Sequence, residues 1–115
     1  MAKDDYFVMA YKLLSYLYAC LKTGKDPLDG GYMDYDTKAF PVGEAYWQYL
    51  LRNLYQEGYL QGAALVPILG MTEKGVKLLP NVSITPKGIA YLHENSMMQK
   101  VKRALKDVKE LLPEF

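Results

Sequence analysis

One cysteine, Cys20, and one histidine, His93, are all that 115 residues contain of those two types. An intramolecular disulfide is therefore excluded, and a zinc site of His and Cys ligands has too few donors. Strong charge of either sign is also missing, because 14 Lys and Arg against 13 Asp and Glu leave a formal net charge of +1. No global field draws the chain to nucleic acid or to an anionic membrane, so any such attraction has to be local. Nor is there a long apolar run. The opening MAKDDYFVMAYKLL starts charged, Lys12, Lys22 and Lys25 interrupt the apolar residues after it, and no small-residue cleavage site appears. Neither export nor membrane insertion is expected, and a reducing cytoplasm suits the lone thiol.

Catalytic chemistry is equally thin. The glycine pair in LDGGYMDYD lacks both the following lysine and the preceding buried strand of a phosphate-binding loop. No nucleophile or acid is recognisable around His93, and Asp34 and Asp36 are the ordinary acids of a turn. The chain is read as a non-enzyme that holds no metal and no cofactor.

What is present is a globular composition. Half of the residues are apolar and 23% are charged, far from the signature of disorder, and the length is that of one domain. From 4 to 22 the residues Tyr6, Ala10, Leu13, Leu14, Leu17, Cys20 and Leu21 recur at helical spacing, with Asp4 or Asp5 to cap the helix and Gly24 to end it. Turn chemistry at Asp26-Pro27 and Asp29-Gly30-Gly31 precedes an expected short helix over 33–39, which Pro41 closes. A further helix over 44–57 begins after Gly43 and stops before Gly58. It turns Tyr46, Trp47, Leu50, Leu51 and Leu54 inward and presents Gln48, Tyr49, Arg52, Asn53 and Gln56 outward.

YLQGAALVP and VKLLPNVSI read as two strands of a ribbon over 59–84. Pro67 and Pro80 keep it short, and a loop over 70–75 joins its arms. In ITPKG, Thr85 caps and Pro86 opens a fourth helix over 85–95. Ser96 and Gln99 start a last amphipathic helix over 97–112. Helix, short helix, helix, hairpin and helix is the order of a winged helix-turn-helix. The expected fold is thus α+β and mainly helical, one domain over 1–115 with a paired helix-turn-helix over 33–57, a two-stranded wing and an added C-terminal amphipathic helix.

The segments MAKDDYFVMAYKLLSYLYACLK, YWQYLLRNLYQEGYLQG and ITPKGIAYLHENSMMQKVKRALKDVKELLP resemble the YjcQ-like family of small winged-helix proteins found in Gram-positive bacteria and their phages. The wing over 63–80 and the loop before the second helix match least, so contacts made there are not carried over. The resemblance implies a winged-helix fold and, by analogy of fold, regulation; it brings no ligand and no catalytic residues.

Two functions stay open. In the first, the protein binds double-stranded DNA as a phage or prophage regulator. Gln48, Arg52 and Asn53 then read base edges, Tyr49 packs on sugar, and Lys74 and Lys77 hold phosphates. Against this, Arg52 is the single cation of its helix, and Asp29, Asp34 and Asp36 outnumber Lys38 over 28–42. The second function is a protein-interaction module without DNA binding, which suits eleven tyrosines and an acidic loop. The last helix also carries an apolar stripe, Val101, Leu105, Val108 and Leu112, that suits either intrachain packing or a homodimer. A homodimer through this stripe predicts twice the chain mass by light scattering at high concentration, and a monomer mass there excludes it.

Overall fold

The computed structural model describes residues 6–70, 72 and 74–94. They form a small α+β fold of three helices and a two-stranded antiparallel sheet, in the order α1 (Tyr6–Thr23), α2 (Glu44–Gln56), β1 (Leu60–Val66), β2 (Gly75–Ile84) and α3 (Pro86–Glu94). That order is compatible with a winged helix. The expected helix over 97–112, its residues Val101, Leu105, Val108 and Leu112, and the caps at Asp4 or Asp5 lie outside the described residues.

The apolar spacing of α1 suggests one buried face, but the helix is central and buried nearly all round. Every residue over 8–17 is buried, including Tyr11, Lys12 and Tyr16. The spread of its four tyrosines around the helix predicts that at least two are exposed or meet another surface, and none is exposed. Leu21, expected inside, is exposed in the last turn. The reason is the segment 24–43, which wraps the side of α1 that the pattern leaves polar. Lys12, only 1% exposed, donates through Nζ to the Ala39 carbonyl, and its ammonium lies 5.7 Å from the centre of the Phe40 ring. One turn on, the Tyr16 hydroxyl donates to the Pro27 carbonyl at 3.2 Å. Residues four apart on one helix stripe thus hold both arms of the wrap, a polar seam that a hydrophobic pattern does not register.

The short helix expected over 33–39 does not form. A single 3-10 turn, Asp29–Gly31, is the only helical piece between α1 and α2 in the described residues. Side chains take the backbone bonds a helix would need. The Tyr35 amide donates to Asp34 Oδ1 at 2.8 Å, and the Thr37 hydroxyl donates to the Asp34 carbonyl at 2.9 Å and accepts the Phe40 amide at 3.1 Å. Asp36 sits at φ +56°, and its amide donates to the Val42 carbonyl at 2.9 Å. Such local competition is why Asp and Thr disfavour helix interiors. Met33, Ala39, Phe40 and Val42 from this loop still reach the core, Phe40 against Trp47 with ring centres 5.1 Å apart.

α2 ends as its sequence suggests. Gly58, at φ +82°, donates to the Tyr55 carbonyl, and the next amide, Tyr59, reaches back to Leu54, both at 3.0 Å. This pair of bonds is a Schellman stop. The chain then enters β1 directly. In the ribbon Gln61 pairs with Ser83 but Ala63 pairs with Leu78, so β2 bulges between them and carries Pro80 outside the regular ladder. Opposite the bulge, Gly62 has φ +78°, and a Cβ there would stand 2.5 Å from the Asn81 carbonyl oxygen and the Val82 Cα. Gly62→Ala therefore combines left-handed strain with a backbone clash, and we expect urea unfolding to show a loss of roughly 2–5 kcal/mol. Gly31, at φ +69° with nothing near its Cβ position, is the control. Its alanine variant should lose only about 1–2 kcal/mol, and equal losses at both positions would contradict the close approach at Gly62.

Candidate nucleic-acid interface between the second helix and the ribbon

The outward stripe of α2 does not face open solvent along its whole length. β2 passes beside it, and a cleft of about 440 Å3 lies between them, walled by Glu44, Ala45, Arg52, Ile68, Lys74 and Gly75. Gln48 sits at its floor, half-buried. Its side-chain amide faces the backbone of Val76 like a neighbouring strand: the Val76 amide donates to Gln48 Oε1 at 2.7 Å, and Gln48 Nε2 donates to the Val76 carbonyl at 3.3 Å. A two-stranded ribbon leaves unpaired polar groups along its edges, and one glutamine covers that edge here. Gly75 leaves room for Ile68, whose Cδ1 would stand 2.8 Å from a Cβ there, whereas Gln48 Oε1, at 3.5 Å, would be in ordinary contact.

One turn along α2, Arg52 Nη1 donates to the Lys74 carbonyl at 3.3 Å, and the guanidinium lies 5.9 Å from the Tyr49 ring centre. Asn53 Nδ2 donates back along the helix to the Tyr49 carbonyl at 2.8 Å. The six residues expected to meet DNA therefore fall into two sets. Gln48 and Arg52 reach the ribbon backbone, and Asn53 bonds within its own helix. Tyr49, Lys74 and Lys77 are exposed. The structure brings Gln48, Arg52 and Lys74 together at one cleft.

A second exposed surface lies at the start of α1. Phe7 is 53% exposed and Tyr49 51% exposed. Tyr6 meets both rings edge-on, with centres 5.3 Å from Phe7 and 6.0 Å from Tyr49. Burial raises the Tyr6 phenol above its ordinary range, and the neighbouring Tyr49 adds to the shift. The tip of the ribbon is the third exposed feature. Leu69 is 102% exposed, as much as in an extended chain, and Ile68 beside it is 38% exposed. Reading the polar stripe of α2 overlooks this tip. The available signal is Pro67-Ile68-Leu69-Gly70 itself, an apolar run where a turn ordinarily carries polar residues.

The single thiol and the single imidazole lie away from the cleft between α2 and β2. Cys20 is buried, burial raises its thiol, and it stays protonated at neutral pH. His93 is exposed in the last turn of α3, edge-on to Tyr18 with ring centres 6.4 Å apart. Among the described residues no group of three or more His, Cys, Asp or Glu could hold a metal ion, and no helix is long and apolar enough to cross a membrane.

Gln48→Ala would leave both polar groups of Val76 without that partner, at a cost of about 1–3 kcal/mol. We expect faster hydrogen exchange at the Val76 amide, measured by NMR, while the amides of α1 stay protected. Unchanged protection at Val76 would mean that Gln48 does not brace the ribbon in solution.

A family model described as YjcQ protein matches residues 11–111, nearly the whole length. The chain belongs to the YjcQ family. Searches of curated proteins and of solved structures return no match.

Proposed function

We propose that this member of the YjcQ family is a winged-helix DNA-binding protein of the phage or prophage regulatory type, with α2 toward the major groove and the β1–β2 ribbon as its wing. The observation that carries the reading is the brace between them. Gln48 on Val76 and Arg52 on Lys74 hold the ribbon against α2, so that exposed Lys74 keeps a fixed relation to the outer face of α2, while Lys77 and Tyr49 are exposed on the same two elements. A rigid helix-plus-ribbon surface meets a duplex without an ordering cost at the moment of binding.

The same brace changes how the residues share the work. Gln48 serves as a strut and not as a base reader, and Arg52 supports the wing as much as it faces a groove. Most of the affinity then comes from phosphate contacts, which are largely indifferent to sequence and steeply dependent on salt. Asp34 and Asp36, exposed in the loop before α2, discourage phosphate there, and Glu44 at the wall of the cleft does so beside Lys74, which together orient the protein on the duplex.

A second reading, a protein-interaction module without DNA binding, is favoured by the exposed pair Phe7 and Tyr49 around Tyr6. One experiment separates the two. Fluorescence anisotropy with a random-sequence duplex, from low to near-physiological salt, should show binding that weakens steeply with salt. In the Lys74→Ala/Lys77→Ala variant the slope of log K against log salt should fall by about 2, roughly one for each lysine that no longer meets a phosphate. No binding by the parent protein at low salt would overturn the DNA reading and leave the aromatic surface as the functional face.

A further inference from the structure

The ribbon tip is built against the usual rule for turns. β1 and β2 close at the Val66–Gly75 pair, and beyond it the chain runs Pro67, Ile68, Leu69 and Gly70, all exposed. Gly70 has φ +80°. The two large side chains do different things. Ile68 folds back over Gly75, where its Cδ1 would stand 2.8 Å from an added Cβ, and walls the α2–ribbon cleft. Leu69 is 102% exposed and points away from the fold. An apolar side chain exposed beyond a ribbon braced at Val76 and Lys74 has the form of a wedge. Lys74 and Lys77 lie on the returning arm, both exposed. Arg52 donates to the carbonyl of Lys74 and fixes that arm relative to α2.

We propose that Leu69 is an intercalating wedge: it enters the minor groove of a DNA duplex, partly unstacks one base step and kinks the helix, while Lys74 and Lys77 hold the flanking phosphates. Leu, Ile and Pro are the side chains that proteins insert in this way, and the resulting kinks are directed toward the major groove, where α2 would sit. Pyrimidine–purine steps unstack most readily, so the wedge selects TA and CA/TG steps without touching a base edge. It thereby supplies a sequence preference that the clamped Gln48 does not. A lipid interface would also accept an apolar tip, but it is held by clusters of roughly four to eight cations, and this tip carries Lys74 and Lys77. The inference rests on the DNA-binding reading above.

The test uses the full chain and a short duplex labelled at its two ends with a donor and an acceptor dye, with a central TA step. Anisotropy reports binding and energy transfer reports the bend. The parent protein should bind and bring the ends together, consistent with a kink of roughly 20–90°. Leu69→Ala, at a fully exposed position where folding is not at stake, should bind within about threefold of the parent, keep the same salt slope and leave the duplex straight. Lys74→Ala/Lys77→Ala should lose affinity first. A parent complex with a straight duplex, or a Leu69→Ala complex that bends it equally, overturns the wedge and leaves the DNA reading standing. No duplex binding at low salt overturns both. Leu69-dependent co-sedimentation with anionic vesicles in that case assigns the tip to lipid.

Discussion

The hydroxyl of Thr85 is the point on which four elements depend. It donates to the Gly58 carbonyl at the end of α2 and accepts the Gly88 amide in the first turn of α3, at 3.1 Å. The Thr85 amide meanwhile donates to the Tyr59 carbonyl at 3.1 Å, and Leu60 pairs with Ile84 immediately beside it. The end of α2, both base residues of the ribbon and the start of α3 thus meet at one threonine. Its neighbours close the junction. Lys87 Nζ donates to the Glu57 carbonyl at 2.8 Å, and Gly88 has no Cβ where one would stand 2.3 Å from the Tyr59 oxygen. An ordinary helix cap is worth about 1 kcal/mol. This one also satisfies a carbonyl left by another helix, so it sets a geometry as well as adding stability.

With the base of the ribbon held at Thr85, its far end is positioned by α2. Gln48 and Arg52 reach the ribbon backbone at Val76 and Lys74, near its opening. The ribbon is therefore held at both ends of its length, and the cleft between it and α2 is a consequence of that frame. Behind this frame α1 supplies the core, touching β2, α3 and α2, while Lys12 and Tyr16 tie down the wrapping loop. The exposed Leu69 lies beyond the Val66–Gly75 pair that closes this braced ribbon. Bracing of the ribbon lowers what ordering costs when a partner docks on it.

Much of this is legible residue by residue. Apolar spacing marks α1 and α2, Gly58 marks the end of α2, and Pro86 after Thr85 marks the start of α3, because each acts through its own dihedral angles or those of its immediate neighbours. The loop over 33–39 misleads for a related reason. The stretch is long enough for about two turns between its turn residues and Pro41, yet Asp34 and Thr37 satisfy the backbone locally and remove the gain from forming a turn of helix. Lys12 misleads in the other direction. Its charge suggests the surface, and only the arrival of Ala39, twenty-seven residues on, makes the interior tolerable for it.

The sequence by itself determined α1, α2, α3, the ribbon and their order, since periodicity, caps, prolines and glycines act over a few residues. It also placed Gln48, Tyr49, Arg52 and Asn53 on one polar stripe of α2. Tertiary structure alone decided what each of them does there. Gln48 became a strut for Val76, Arg52 a support for Lys74, and Tyr49 an exposed ring beside Tyr6, while Leu69 was left outside. The physical reason is that a polar side chain has no preferred partner until packing brings one within about 3 Å. Those partners are separated by more than twenty residues, a range over which a local pattern carries no record of contact.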